Sequence, residues 1–253
     1  MLPIARRNKI KELITEKKSV TVAELTKLFK VTEETIRRDL KQLEEEGFLN
    51  RTYGGAYISE GVQNDVDITL REHIHVEGKQ KIASQCLPFI HSGDSIFLDA
   101  STTSVVLASM LQGKKITVVT NSIKIVNTLV DNPDIDLVVI GGTLAKSSLS
   151  NVGKTAEYHL NHYFFDTAFI SCRSVSRQHG LTDSNEQQAA MRKLAAEHAN
   201  NVFLIADYTK FDKTSFTRIG GFDLVDTIVV DQKLSAEWHQ FLEEKQITLI
   251  ECD

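Results

Sequence analysis

The sequence predicts a two-part chain: a small winged helix-turn-helix head, then an α/β body built on a mainly parallel sheet. Three observations carry this reading. Apolar residues recur at helical spacing three times within the first 46 positions. From about residue 79 onward, short β-rich runs alternate with amphipathic stretches. Charge divides the same way: residues 1–58 hold 12 Lys/Arg against 9 Asp/Glu, and the remainder hold 17 against 25. A mildly basic head on an acidic body points the head at a polyanion.

The bulk numbers exclude other classes. The 253 residues are 42% hydrophobic and 25% charged, with a formal charge of −5. That is enough apolar surface to bury a core, so disorder is not the main state. No apolar run approaches the roughly 18–20 residues that a membrane span needs. Arg6-Arg7 near the start, with no apolar stretch behind them, argue against a secretory signal. Cys86, Cys172 and Cys252 lie far apart without C-x-x-C spacing. They read as free thiols of a reducing cytoplasm.

In the head, Ile10, Leu13 and Ile14 mark one face of a helix over 4–17. An extended link, Ser19–Val22, leads to a second helix around 23–29. Thr32 caps a third helix running to about Glu46, where Gly47 ends it. On this helix Ile36, Leu40 and Leu43 fall within about 60° of one another at about 100° per residue, a stripe that faces a core. Glu34, Arg38 and Lys41 lie opposite, with Arg37 nearby, and Thr32, Glu33 and Thr35 occupy the leading turn. A hairpin around Gly54-Gly55 follows, carrying Arg51 and Tyr53. A third helix led into a major groove would present Arg to guanine and Thr to phosphate or a thymine methyl. Arg51 and Tyr53 would reach the backbone or the minor groove. The plainer alternative is a solvated helix laced by Glu34–Arg38 and Lys41–Glu45 pairs.

Residues 59–78 are polar and mixed, and read as a linker between a head at 1–58 and a body at 79–253. A helix is predicted over 79–90. The strand candidates are 95–98, 116–120, 137–140, 167–171, 202–206, 227–230 and 248–250, with helices over 103–111, 122–131 and 186–199 between them. Three successive strands end in phosphate-friendly chemistry: Asp99-Ala100-Ser101-Thr102-Thr103, Thr120-Asn121-Ser122 and Gly141-Gly142-Thr143. Hydroxyls and backbone N–H groups at a helix N-terminus beyond a parallel strand favour an anion. His159-x-x-His162 has metal spacing but no obvious third ligand, and neither metal nor cofactor is expected.

The run Val31-Thr32-Glu33-Glu34-Thr35-Ile36-Arg37-Arg38-Asp39-Leu40, with Gly54-Gly55-Ala56 after the hairpin, closely resembles the head of the DeoR family of bacterial sugar-operon regulators. The resemblance implies DNA contacts at Thr35, Arg37 and Arg38, with Asp39 an internal partner for a neighbouring arginine. The body resembles that family's sugar-phosphate-sensing domain, similar in fold to ribose-5-phosphate isomerase and the CoA-transferases. The matching positions are Asp99 to Thr103, Thr120 to Ser122, Gly141-Gly142, Asp183, Glu186, Lys193 and Asp207-Tyr208-Thr209-Lys210-Phe211. On that basis Ser101, Thr102 and Thr103 hold a phosphate, and Lys193 or Lys210 adds charge. Asp99, Asn121 and Asp183 bind sugar hydroxyls. Ser101 and Ser171-Cys172-Arg173 depart from the glycine usual in the family.

The function expected is a cytoplasmic, nucleoid-associated regulator, a repressor of a sugar-catabolic operon. It would bind operator DNA as a homodimer or homotetramer and respond to a phosphorylated sugar. The competing reading is a sugar-phosphate isomerase with an appended head, using Asp99, Asp183 or Glu186 as base beside Lys193.

Overall fold

The structure, a computed structural model, describes residues 2–58 and 68–252. It divides into Met1–Ile74 and His75–Asp253.

The first unit runs α1 (Pro3–Lys17), β1 (Ser19–Thr21), α2 (Val22–Phe29), α3 (Glu33–Glu45), β2 (Asn50–Thr52) and β3 (Gly55–Tyr57). Thr21 and Glu24 form a reciprocal capping box at α2, and Thr32 caps α3 by accepting from the Thr35 N–H. Gly47 leaves α3 at φ +72°, a conformation that suits glycine. The helices close on Ile10, Ile14, Leu25, Ile36, Leu40 and Leu43, all fully buried. The extended link at residue 19 is a strand: β1 pairs antiparallel with β3, giving a three-stranded wing in the order β1-β3-β2. That pairing accounts for Gly55, because a Cβ there would sit 2.1 Å from the Val20 carbonyl oxygen.

Of the segment read as linker, residues 59–67 lie outside the described residues. The rest is more ordered than expected. Ile68 and Leu70, on the single turn α4 (Ile68–Arg71), are buried, and Leu70 packs at Gly54 and Gly55 of the wing. Helix α5 begins at Val76 rather than 79 and ends at Cys86, where a 3₁₀ turn takes over. Gly78, read as a linker glycine, lies inside α5 against the Asp231 carboxylate, where any Cβ would collide.

The second unit contains all seven predicted strands in one parallel sheet. They are β4 (Ser95–Leu98), β5 (Ile116–Thr120), β6 (Ile135–Val139), β9 (Phe165–Ile170), β12 (Ala199–Ile205), β14 (Thr227–Val230) and β15 (Thr248–Glu251). Their order is β15-β14-β12-β9-β4-β5-β6. Alternate residues serve opposite faces. Ile96 and Leu98 meet α5, α6 (Thr102–Ser109) and α7 (Ile123–Leu129), and Phe97 belongs to the core under α8 (Lys154–Leu160), α9 (Glu186–Glu197) and α10 (Ala236–Glu244). Two additions were not expected from periodicity: a β7 (Thr143–Ala145)/β8 (Ser150–Val152) hairpin, and a small antiparallel sheet of β10 (Ser174–Ser176), β11 (Gly180–Asp183) and β13 (Thr217–Gly220). From β4 the chain winds outward through β5 and β6; from β9 it winds the other way through β12, β14 and β15. The strand order therefore reverses between β4 and β9, and ligands of open α/β sheets bind beyond the carboxyl ends at such a point.

Candidate functional site

Two surfaces collect the predicted residues. On the first unit, Thr32, Glu33, Glu34, Arg38 and Lys41 form the exposed face of α3. Arg38 bonds to no described residue and is free to reach outward. Arg37 is committed differently. Its guanidinium donates to the Tyr53 carbonyl at 3.1 Å and to Glu33 Oε2 at 3.1 Å, and lies 6.0 Å from the Tyr53 ring centre. It joins the third helix to the wing. Arg51 is likewise engaged: its Nε and backbone N–H both donate to Glu44, which holds that carboxyl below its ordinary pKa. Lys41 stands 3.9 Å from Glu45, both well exposed, a spacing of little energetic weight. Tyr53 is 76% exposed. Asp39 is buried and receives the Nε–H of the buried Arg6, with Arg7 at 3.8 Å. It is the internal partner that the sequence reading expects, and it ties α1 to α3.

On the second unit, the ends of β4 and β9 are joined through Asp99. One carboxylate oxygen accepts from the Ser101 N–H (3.1 Å) and the Ser104 hydroxyl (2.6 Å). The other accepts from the Ser171 N–H (3.0 Å) and Arg192 Nε (2.6 Å). Burial pushes the Asp99 carboxyl up, but Arg192 and the serine donors outweigh it and hold the pKa below the usual range. The Arg192 Nη1 also donates to Asp183, closing a buried Asp99–Arg192–Asp183 triad. Burial works against the Arg192 charge, and the two aspartates more than restore it. Asp99 and Asp183 thus spend their oxygens on the protein, where the expectation had them on sugar hydroxyls.

The neighbouring positions separate in the same way. Ser101 caps α6, accepting from the Ser104 N–H and donating to the Ser104 hydroxyl. Thr102 and Thr103 follow in the first helical turn, buried, with hydroxyls that bond to no described residue. Their N–H groups are among those a helix cannot satisfy internally. Thr120 donates to the Leu98 carbonyl and Ser122 caps α7, so both are structural. Asn121 differs: its Nδ2 donates to the Asn151 carbonyl, but its buried Oδ1 has no partner among the described residues. Gly141 is open on its Cβ side and donates its N–H to His159 Nδ1 at 3.3 Å. Gly142 is required by packing, because a Cβ would lie 2.8 Å from Ala156 Cβ. At the end of β12, Asp207 accepts from the Thr209 N–H, and Lys210 stands 3.8 Å away. Burial pushes the Asp207 carboxyl up, but Lys210 and Thr209 bring it below its ordinary value. Cys172 is buried between these groups, and burial pushes its thiol up to about 12, which makes it inert.

Two predicted residues do not reach this crevice. Glu186 is exposed in the first turn of α9. Lys193 is exposed too, pairing with Glu197 at 3.7 Å. The cation that α9 supplies to the site is Arg192, one position earlier.

Comparison with known proteins agrees with this division. A family model described as the DeoR C terminal sensor domain matches residues 74–232, and one described as a DeoR-like helix-turn-helix domain matches residues 6–61. The chain belongs to the DeoR family. An uncharacterized HTH-type transcriptional regulator, YulB of Bacillus subtilis, is 36% identical over 98% of this chain and 96% of its own. The HTH-type transcriptional repressor GlcR of the same organism is 30% identical over 95% and 93%. The L-fucose operon activator of Haemophilus influenzae is 29% identical over 95% and 97%. This DeoR-family chain is therefore a DNA-binding transcription regulator rather than an enzyme, which sets aside the isomerase alternative. Among the described residues, no cluster could hold a metal ion, and no helix is long and apolar enough to cross a membrane.

The residues missed by sequence reasoning had a signal. Gln188, Ala189, Arg192, Ala195 and Ala196 fall at i, i+1, i+4, i+7 and i+8, the buried stripe of α9, and Lys193 falls off it. Gln188 uses that placement to donate to Ser148 (2.9 Å) and Ser150 (2.6 Å), fixing the β7/β8 hairpin. No short motif announces those two serines.

Proposed function

We propose that this DeoR-family regulator represses a sugar-catabolic operon and releases its operator when a phosphorylated sugar enters the crevice between β4 and β9. The head over residues 1–58 grips DNA through the exposed face of α3, and the sensor reads the metabolite. The observation that carries the reading is the pairing of free groups at the reversal point. Thr102 and Thr103 offer hydroxyls and unsatisfied N–H groups at the N-terminus of α6, and Asn121, whose Oδ1 has no partner among the described residues, follows the end of the adjacent strand β5. The first set suits a phosphate, and the second accepts a hydroxyl proton. Lys210 at the end of β12 adds positive charge. Asp99, Arg192 and Asp183 hold both strand ends in register around the ligand. The regulator acts in the cytoplasm on the nucleoid, as a homodimer or homotetramer, so its operator repeats a half-site.

Induction on this reading is a population shift, in which the sugar phosphate binds the non-repressing state more tightly, worth about 1–3 kcal/mol of coupling. The test is operator binding by the full chain, followed by anisotropy, against a panel of pentose and hexose phosphates. At least one should release the operator from the wild type. Thr102→Ala with Thr103→Ala should keep operator affinity and lose release. Normal release from that variant would exclude the crevice as the sensing site.

A further inference from the structure

A second cavity lies away from the β4/β9 crevice. It has a volume of about 420 Å³ and opens between the small β10-β11-β13 sheet and α10. Arg177, from the β10–β11 turn, Arg218 of β13 and Lys245, at the end of α10, converge on it, with Asp223 the one lining carboxylate. Arg218 and Lys245 form no ion pair with any described residue. Arg177 reaches Asp212 only at 4.0 Å, and its guanidinium carbon lies 5.6 Å from the Trp238 ring centre. Phe222 and Phe241 meet edge to face at 4.9 Å and make an apolar wall. The floor is backbone. A Cβ on Gly180 would lie 2.3 Å from the Gly220 oxygen, and one on Gly221 would lie 2.2 Å from Asp223 Oδ1 and 3.3 Å from Arg218 Nη2. Glycine at 221 therefore leaves Arg218 room to lie along the cavity.

We propose that this cavity is a second binding site of the sensor, for a small phosphorylated metabolite whose dianion is held by Arg218, Lys245 and Arg177 and whose carbon skeleton rests on Phe222 and Phe241. Three cations against Asp223, and against Asp212 at 4.0 Å from Arg177, leave the cavity net positive, which favours the anion of a phosphate monoester. Guanidinium groups suit phosphate because they donate in a planar fork. The volume lies within the range of small-molecule sites, about 300–1,000 Å³. The site is also placed to communicate. Strand β11 begins at Gly180 on the cavity floor and ends at Asp183, the partner of Arg192. Occupancy at one end of that strand bears on the triad at the other. This goes beyond the sensing crevice and does not depend on it.

Trp238 is the chain's single tryptophan and packs against Arg177 and Phe241, so its fluorescence reports on this cavity. The full chain is titrated with inorganic phosphate at constant ionic strength. The wild type and Thr102→Ala/Thr103→Ala should show the same saturable change. Arg218→Gln with Lys245→Gln, both at exposed positions, should raise the half-saturating concentration at least tenfold. A second readout covers a silent tryptophan: broadening of the phosphate ³¹P resonance by Thr102→Ala/Thr103→Ala should disappear when Arg218→Gln and Lys245→Gln are added. The proposal is overturned if the glutamine substitutions leave both signals unchanged, or if the threonine substitutions alone abolish them. Failure of the crevice reading would appear separately, as normal operator release by the threonine variant.

Discussion

Arg192 lies at the centre of the sensor because two carboxylates compensate a charge that burial alone would expel. Replacing such a triad by apolar residues can be neutral, whereas removing one member leaves an unpaired charge at a cost of about 3–5 kcal/mol. Asp99→Asn or Arg192→Met should therefore lower sensor stability by about that much, read from denaturant unfolding through Trp238 fluorescence. An effect below about 1 kcal/mol would mean that the triad is not formed in solution. The pH dependence has a definite sign. Asp99 and Asp207 both titrate below their ordinary values when folded. Their stabilisation is complete above the unfolded carboxylate pKa of about 3.9 and is lost as pH falls through the lower folded values. The sensor should hold a flat melting temperature from neutral pH to about pH 5 and lose stability below about pH 4, and Asp99→Asn should flatten part of that acid slope.

Among the elements, α3 and the wing act as one piece because Arg37 holds the Tyr53 carbonyl. That separates two adjacent arginines which a sequence motif treats alike. Arg38→Ala should weaken operator binding by about 1–3 kcal/mol and relax the preference at one base pair, the signature of lost base readout. Arg37→Ala should weaken binding to all sequences alike, because the wing loses its support. Binding titrations on the operator and on single-base variants separate the two outcomes, and equal, sequence-independent losses would contradict the assignment of Arg38. The elements themselves were largely legible. The five inner strands of the sheet follow from apolar runs buried on both faces, and the edge strands β6 and β15 from shorter apolar runs that are only partly covered. The β7/β8 hairpin and the β10-β11-β13 sheet escaped because their strands are three or four residues long, carry few apolar residues and pair outside the main sheet. In the site, Thr102, Thr103 and Asn121 were visible because hydroxyls and amides at strand ends are chemically suggestive. Arg192 was not, because a cation on a buried helical stripe reads as a surface residue until its two aspartate partners, 93 and 9 positions away, are placed.

For the whole molecule, the charge division sets how each function responds to salt. The cations that can meet DNA sit in residues 1–58, and the rest of the chain carries 17 Lys/Arg against 25 Asp/Glu. The sensor would repel a duplex, so specific binding must come from the heads. Each head exposes Arg38 and Lys41, with Arg51 reachable if it leaves Glu44. If the regulator binds as the proposed dimer, its two heads would neutralise roughly four to six phosphates, and counterion release would give a slope of log K against log salt of about −4 to −5. Raising KCl from 50 to 200 mM should cost operator affinity roughly 10²–10³-fold. Lys41→Ala should reduce the steepness by about two, one contact per head, while leaving sequence preference intact. On the proposed reading, a sugar phosphate in the crevice would be held by buried N–H and hydroxyl groups, with screening much weaker than at the surface. Its half-saturating concentration, read from the thermal shift of the sensor, should therefore change far less over the same salt range. Parallel salt dependences would mean that the effector is held by exposed charge, and would move the sensing role from the crevice to the Arg177–Arg218–Lys245 cavity.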